Sequence, residues 1–500
     1  MTDMIESFYD IFSKLNSIPR PSHHEERVAD FLCEFASSHG LRYRRDDRNC
    51  VVIKKDATPG CENADPVVIL NHMDMVCVAK DDYLRDGRKF NPLQDEIRPY
   101  IDVVTNPDGS KTRWMKAEGT SLGADNGMGL SMALAILADD SIVHGPLEVL
   151  TTTNEEDGMS GAEALSTDFI SGRKVINLDS EAYNEITVGA AGAYLQVASW
   201  DAERAAVPDG FEFVRISLEG GLGGHSGVDI NKGRCNANKE LCSFLTEDLA
   251  DAMAVGDVLV CSLSGGTANA SIAQQAEAVL ALKPAMYDAL HRYAGKWNDS
   301  LKDRFAKTDA SVSVRMEKAE ACESCLTNAS AILQTVSKLP CGTLAMRGDM
   351  PGTVMTSNNI GVISTTADKV TVSCHTRSFS DDEMHKLGGH IGEVFREGQA
   401  AQVQLLMDTG AWIERADSPL LALTCRTFKD VLGFEPKKVA MHFVLEAAYY
   451  VQKYPGVEIA SIGPLIIEPH STSERVSLDT ADNIWKVTVE LLSRLAGKVR

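Results

Sequence analysis

The chain has 500 residues, 44% of them hydrophobic, which is enough material for more than one core, so two or more domains are expected. Its 49 basic and 71 acidic residues give a net charge of −22, which disfavours nucleic acid and anionic membrane surfaces as partners. No apolar run reaches the roughly 18 residues of a membrane span, and the N-terminus lacks a signal-peptide pattern. The twelve irregularly spaced cysteines indicate reduced thiols, so a cytoplasmic protein is expected.

The first part of the chain, residues 1–194, alternates strand-like apolar runs with amphipathic helical patterns. The sequence predicts strands over 67–70, 147–152 and 175–178, and helices over 5–15, 25–38 and 127–138. Ser22 and Glu25 have the spacing of a capping box before the second helix. This alternation is typical of a mixed β-sheet layered with helices, which we expect to form a catalytic domain.

The middle part, residues 195–398, follows a different order of elements. We predict the following strands and helices in turn: strand 211–219, helix 234–250, strands 257–263 and 276–282, helix 285–305, strand 311–317, helix 323–336, strands 359–364 and 370–376, and helix 380–396. This is a β-α-β-β-α order read twice. It predicts a separate α+β domain built from two similar halves.

The last part, residues 399–500, returns to the first pattern. We predict strands over 403–407 and 457–462 and helices over 419–431 and 482–495. The middle domain is therefore expected to be inserted into the first. The predicted fold class is α/β, with a catalytic domain formed by 1–194 and 399–500 and an inserted α+β lid domain between them.

Acidic residues and histidines follow the predicted strands or open the helix and loop next to them. Each of them lies at the end of an apolar run or in a turn. These residues are His72, Asp74, Asp125, Glu155, Glu156, Asp179 and His470. Open α/β sheets bind ligands beyond the carboxyl ends of their strands, so these side chains are expected to converge on one crevice.

Two histidines and several carboxylates, with no cysteine among them, suit a pair of divalent ions such as zinc, manganese or cobalt. Such a pair lowers the pKa of a shared water. The adjacent Glu155 and Glu156 cannot both point the same way on an extended backbone, so one could bind metal while the other acts as general base. Asp74, two residues after His72, could accept a hydrogen bond from the ring nitrogen that does not bind metal.

Six motifs in chain order carry a family resemblance: HMDMV, GTSLGADNGMG, TTNEEDGMSGA, INLDS, GGHSG and PHS. Together they resemble the co-catalytic metallopeptidases that include carboxypeptidases, aminoacylases and dipeptidases. The likeness runs nearly end to end and is strongest with the cytosolic dipeptidases that act on Xaa-His substrates. It implies a hydrolase that cleaves unblocked dipeptides with a metal-activated water.

The resemblance also implies roles for particular residues. One metal, usually zinc, would be held by His72, Asp125 and Asp179, and the second by Asp125, Glu156 and His470. Glu155 matches the general base, and Asp74 matches an aspartate counted with the active site. In the middle domain His225 resembles a histidine that stabilises the transition state, and Asn269 and Arg377 resemble residues that grip the substrate. The bond after the bridging aspartate, Asp125-Asn126, is expected to be cis.

One motif departs from the family pattern. Relatives carry a stretch like HAGLECG where this chain has HFVLEAA, which retains His442 and Glu446 but loses the small residues around them. The preferred side chain of the substrate, histidine included, therefore stays open. The alternatives are a tripeptidase, an amidohydrolase acting on N-acyl amino acids, or a non-catalytic peptide-binding scaffold. A small peptide is the expected partner, and a homodimer stays open.

Overall fold

The structure is a computed structural model that describes residues 2–413, 415 and 417–498, with side chains described from Phe8 onward. The chain divides into two compact units. The first comprises Met1–Gly189, Glu414–Ala440 and Tyr449–Arg500, and the second comprises Ala190–Ile413 and Met441–Ala448.

The N-terminal segment of the first unit contains four helices and ten strands. In chain order they are α1 (Thr2–Asn16), α2 (Glu26–Ser38), β1 (Arg42–Arg45), β2 (Val51–Lys55), β3 (Val67–His72), β4 (Leu84–Arg85), β5 (Arg88–Lys89), β6 (Pro99–Thr105), β7 (Lys111–Ala117), α3 (Ala124–Ala138), β8 (Leu147–Thr152), α4 (Ser160–Ala164), β9 (Lys174–Asn177) and β10 (Glu185–Ala190).

The middle segment contains eleven strands and five helices. They are β11 (Gly192–Asp201), β12 (Arg204–Ala206), β13 (Glu212–Glu219), α5 (Ala237–Glu247), α6 (Ala250–Ala254), β14 (Val258–Gly265), β15 (Ala276–Leu282), α7 (Tyr287–Phe305), β16 (Ser313–Lys318), β17 (Ser324–Leu326), α8 (Ala329–Lys338), β18 (Gly342–Met346), β19 (Val354–Thr365), β20 (Lys369–Ser378), α9 (Asp381–Glu397) and β21 (Gln402–Thr409).

The C-terminal segment returns to the first unit after β21. Its elements are α10 (Pro419–Leu432), β22 (Lys437–Met441), α11 (Ala447–Lys453), β23 (Glu458–Ser461), β24 (Ile466–Ile467), β25 (Arg475–Ser477) and α12 (Leu478–Leu495). Among the described residues, no helix combines the length and the apolar character needed to span a membrane.

The first unit is built on an eight-stranded mixed sheet, in the order β1-β2-β8-β3-β9-β23-β10-β22. Strands β8, β3, β9 and β23 are parallel. Every residue of β3 and β8 is buried, as expected for central strands covered on both faces. The parallel strands place the carboxyl ends of β3, β8 and β9 at one edge of the sheet, where the polar residues follow. The predicted helix-layered mixed sheet is confirmed.

The second unit contains a nine-stranded sheet. Its main path runs β16-β13-β15-β14-β19-β20-β11-β21, and β18 pairs with β19. The order is symmetric about the β14–β19 contact, so β15 corresponds to β20, β13 to β11, and β16 to β21. Each half therefore begins with a long strand, β13 or β11, and ends with an edge strand, β16 or β21, that pairs with it.

This topology corrects one prediction about the two halves. Strand 311–317 was expected to open the second half, but the observed β16 pairs with β13 and so closes the first half. The strand that opens the second half is β11, which pairs with β20 over its whole length. The first half, from β13 to β16, is thus inserted in the chain between β11 and α8 of the second half. The order of predicted strands along the chain does not show this insertion.

The divisions between units also differ from the predicted boundaries at 195 and 398. Strand β21 was assigned to the catalytic domain, but it pairs antiparallel with β11 and belongs to the second unit. Residues 441–448 join the second unit as well. The backbone N–H of Ala191 donates to the carbonyl of Met441, which ties this segment to the start of β11.

Candidate active site

Asp125 lies between two histidines at the edge of the first unit's sheet. Its Oδ1 is 3.0 Å from Nε2 of His72, at the end of β3, and its Oδ2 is 3.1 Å from Nε2 of His470, in the loop between β24 and β25. One carboxylate thus presents a separate oxygen to each ring. This is the arrangement expected of a ligand that bridges two metal ions.

Each histidine faces a second carboxylate. Oδ1 of Asp179, after β9, is 3.2 Å from Nε2 of His72, and Oε2 of Glu156, after β8, is 2.8 Å from Nε2 of His470. The structure therefore brings together two sets of donor atoms that share Asp125. The potential ligand atoms of His72, Asp125 and Glu156 all lie within 4.8 Å of one another, which is compatible with metal binding.

The charge of this site suits divalent cations. Five acidic side chains meet here, counting Asp74 and Glu155. Burial raises the pKa of Glu155 well above its ordinary value and that of Glu156 to about 7. Burial also opposes ionisation of Asp125, but hydrogen bonds with His470 and His72 outweigh it and lower that pKa. Two divalent ions would neutralise the excess of buried negative charge, so the residues present fit a dinuclear metal pair.

Asp74 positions the two adjacent glutamates. The backbone N–H of Glu155 donates to Oδ1 of Asp74 at 3.1 Å, and that of Glu156 donates to Oδ2 at 3.3 Å. Nδ1 of His72 faces the same carboxylate at 3.5 Å, which is long for a hydrogen bond. The suggested role of Asp74 in orienting His72 stays a prediction, whereas its hold on the glutamate turn is direct.

The expected capping box is wrong, because both of its residues serve this turn instead. The hydroxyl of Ser22 donates to Oδ2 of Asp74 at 2.8 Å. Oε1 of Glu25 accepts from the backbone N–H of Asn154 at 2.9 Å, and also from that of His23. Helix α2 begins after Glu25 without a side-chain cap. The two residues have the spacing of a capping box, but their side chains bind Asp74 and Asn154 and not the first turn of α2.

Two buried residues that the sequence reasoning missed hold the start of α3. Both carboxylate oxygens of Glu474 accept backbone N–H groups, from Leu122, Gly123 and Ala124 at 2.7–2.9 Å. The guanidinium of Arg20 donates to the carbonyl of Gly123 at 2.7 Å and to those of two residues after β3. An anion at a helix N-terminus is favourable, and here it fixes the backbone just before Asp125.

The peptide bond between Asp125 and Asn126 is cis, as predicted. Gly123, two residues earlier, has a φ of 69°. A Cβ atom at this glycine would lie 2.5 Å from the sulfur of Met75, and its positive φ is one that other residues rarely adopt, so the turn that presents Asp125 favours glycine.

The remaining candidate residues, His225, Asn269 and Arg377, belong to the second unit. Nδ1 of His225 accepts the backbone N–H groups of Gly227 and Val228, both at 3.2 Å, so the ring proton must lie on Nε2. Burial, with help from the charge of Arg377, lowers the pKa of His225 to about 4. His225 is therefore a neutral donor of one hydrogen bond.

Two further histidines of the second unit were not assigned from the sequence. His375 lies on β20 two residues before Arg377, and Nε2 of His442 is 2.8 Å from the hydroxyl of Ser357 on β19. Burial lowers the pKa of His442 to about 3, and the charge of Arg377 adds to this effect. Asn269 is half-buried, and its carbonyl accepts from the side chain of Asn359 at 3.3 Å.

The fold and the shared aspartate define a hydrolase of the metallopeptidase class. Residues 68–495 match the model of peptidase family M20/M25/M40, and the chain belongs to this family. It is 34% identical to the cytosol non-specific dipeptidase of Escherichia coli (strain K12) over 498 residues, which cover 99% of this chain and 98% of that protein.

Solved structures agree with this assignment. The aminoacylhistidine dipeptidase from Vibrio alginolyticus is 34% identical and superposes with a TM-score of 0.82, covering 98% of this chain and 96% of that one. A tripeptidase from Staphylococcus aureus subsp. aureus Mu50 shares the fold, with a TM-score of 0.60, 14% identity and 99% of each chain covered.

The buried contacts of Glu474 predict a large effect of its removal. Glu474→Ala leaves three backbone N–H groups without their acceptor, each costing ~1–3 kcal/mol if it stays buried. We expect the melting temperature, followed by calorimetry, to fall by ~5 °C or more. Glu468→Ala is the control, because this exposed glutamate forms a surface ion pair with Arg475. Equal melting temperatures for the two variants would contradict the role of Glu474.

The buried histidines predict a loss of stability in acid. The pKa of His442 is near 6.5 in the unfolded chain and is lowered to about 3 in the folded protein. Above pH 6.5 the ring is neutral in both states, and below it only the unfolded chain gains a proton, which lowers the free energy of unfolding. As the pH falls towards 3, about 1.4 kcal/mol is lost per pH unit. His442→Gln should therefore show a smaller fall in melting temperature between pH 7 and pH 5 than the native protein. The exposed His291, changed to Gln, should keep the native pH dependence; identical pH profiles for all three proteins would refute the prediction.

Proposed function

We propose that the chain is a metal-dependent dipeptidase that hydrolyses the peptide bond of unblocked dipeptides, with Xaa-His dipeptides among its substrates. The observation that carries the proposal is Asp125, shared by two sets of donor atoms beside the adjacent Glu155 and Glu156. Membership of the peptidase family supports it, and so do two relatives at 34% identity whose names describe dipeptidases.

We propose two divalent ions, zinc in the first place, with manganese and cobalt as alternatives. His72, Asp125 and Asp179 would hold one ion, and Asp125, Glu156 and His470 the other. When bound, such a pair lowers the pKa of an attacking water and polarises the peptide carbonyl.

Glu155 is the general base in this proposal. Asp74 holds the backbone N–H groups of both glutamates, and the side chain of Glu156 faces His470, which leaves the carboxylate of Glu155 for a different task. Glu155 would accept a proton from the attacking water and deliver it to the amine that leaves. A raised pKa suits this group, because a stronger base accepts the proton of the attacking water more readily.

The second unit would supply the residues that bind the substrate. His225, a neutral ring with its proton on Nε2, would donate a hydrogen bond to the oxyanion of the transition state. Arg377 would bind the free carboxylate of the dipeptide, and Asn269 would contact the substrate beside it. We therefore propose that the first unit is the catalytic domain and the second is the lid domain.

A cytoplasmic location is proposed from the name of the Escherichia coli relative and from the irregular spacing of the twelve cysteines. A small peptide is the proposed partner, with no nucleic acid or membrane.

A substrate panel tests the function directly. Purified protein loaded with zinc, manganese or cobalt would be given Ala-His, other dipeptides, a tripeptide and an N-acetyl amino acid. We expect dipeptides to be cleaved fastest. A preference for the tripeptide or the N-acetyl amino acid would favour the alternative hydrolases, and binding without turnover would favour the scaffold.

Glu155→Gln should separate chemistry from metal binding. The amide cannot accept the proton of water, so kcat should fall by ~10²–10⁴. Metal analysis of the purified variant should still find two ions per chain, because Glu155 is not a proposed ligand. The exposed Glu163→Gln serves as control and should match the native rate. Near-native turnover by Glu155→Gln would show that another group is the base.

Arg377→Lys should weaken cleavage of free dipeptides. Lysine keeps the charge but cannot reproduce the fork of a guanidinium, and the position is only 3% exposed. We expect kcat/KM to fall by ~10²-fold or more, as for other buried charge pairs. Arg396→Lys on the exposed face of α9 is the control. A native kcat/KM for Arg377→Lys would remove this arginine from substrate binding.

A further inference from the structure

Arg377 is a buried cation whose partners are all neutral. Its Nε and Nη2 both lie 3.3 Å from the hydroxyl oxygen of Ser226, and Nη2 lies 3.4 Å from Nδ1 of His375. Among the described residues, no carboxylate forms an ion pair with it, and burial alone lowers its pKa to about 10. A buried charge is costly without a counter-charge, so this arrangement needs an explanation.

His375 is the less expected of these partners. It precedes Arg377 by two residues on β20, so both side chains lie on one face of the sheet. Nδ1 faces an N–H donor and must therefore be the unprotonated nitrogen, which places the proton on Nε2. Nε2 makes no hydrogen bond with the described residues, although the carbonyl of Asn269 nearby favours a proton on the ring.

The surroundings keep this ring neutral. His375 is 5% exposed, and burial first, then the charge of Arg377, lower its pKa well below the ordinary value. The carboxylate of Asp229, which accepts the backbone N–H of His225, is already paired with Lys232 and Arg234. No acid in this cluster is therefore available to neutralise the guanidinium.

We infer that His375 is a positioning residue that holds the Arg377 guanidinium through a neutral acceptor, leaving its full positive charge for the carboxylate of the substrate. The inference rests on the proposed function in one respect, the identity of the anion. An aspartate at position 375 would hold the guanidinium equally well but would cancel its charge. The neutral ring thus makes the site selective for peptides with a free C-terminus.

Two variants of similar shape separate position from charge. In His375→Asn the side-chain oxygen can accept from Arg377 as Nδ1 does, and in His375→Asp the acceptor also carries a negative charge. Ala-His and its C-terminal amide would be the substrates, with kcat and KM determined for each. The melting temperature of both variants would confirm that they fold.

For His375→Asn we expect kcat/KM on Ala-His within about threefold of native and an unchanged preference over the amide. For His375→Asp we expect a fall of ~10²-fold on Ala-His, mostly in KM, with little change on the amide. The preference for a free carboxylate should therefore collapse only in the aspartate variant. Equal behaviour of the two variants, whether both active or both impaired, would overturn the inference.

A second measurement does not depend on turnover. In protein labelled with ¹⁵N-histidine, the ring signals absent from His375→Asn belong to His375. At pH 6 we expect them to show an unprotonated Nδ1 and a protonated Nε2. A doubly protonated ring would contradict the neutral acceptor. If the spectra show this neutral ring while the native protein cleaves no dipeptide, the proposed function is wrong but the neutral state of His375 is confirmed.

Discussion

The first unit depends on one carboxylate that is shared by two histidines. Asp125 can present an oxygen to each ring only if the chain around it is held tightly. Glu474 takes the N–H groups before it, and Arg20 takes the carbonyl of Gly123. These two buried ions are held largely by backbone groups, which have fixed positions, so the precision of the site comes from main-chain geometry more than from side-chain packing.

The sheet beneath explains why so many acids can gather at one place. Parallel strands β3, β8 and β9 end at the same edge, and each is followed by acidic residues of the site. Because the strands are buried on both faces, they form a rigid base for loops that would repel one another in isolation. Burial, and then repulsion by the neighbouring carboxylates, raise the pKa of Glu155, and bound cations would offset this repulsion.

The second unit isolates charge of the opposite sign. Arg377 stands among neutral histidines and a serine, and its charge in turn helps to keep those histidines neutral. In both units the same physical rule applies: a buried group of one sign without a counter-charge indicates where a ligand of the other sign would bind. Such sites are stable only because the rest of the unit compensates for the cost of burying them.

Several elements show how far sequence reasoning reaches. The apolar runs of β3 and β8 and the polar residues at their ends were visible in the sequence, since periodicity and strand ends are local properties. The predicted strand 359–364 begins earlier, at Val354 in β19, because buried Ser357 and Asn359 find partners on neighbouring segments. Polar strands of this kind have no apolar pattern to reveal them.

By itself the sequence determined the α/β architecture of the first unit and the set of histidines and acids at its strand ends, because both follow from patterns within short stretches of chain. Only the tertiary structure decided which residues serve one another across hundreds of positions. Glu474 accepts the backbone N–H of Gly123, and Ser22 donates to Asp74 and does not cap α2. Strand β16 pairs with β13 and so belongs to the first half of the second unit. A hydrogen bond or strand pairing between distant segments depends on where the whole chain places them, and no local pattern carries that information.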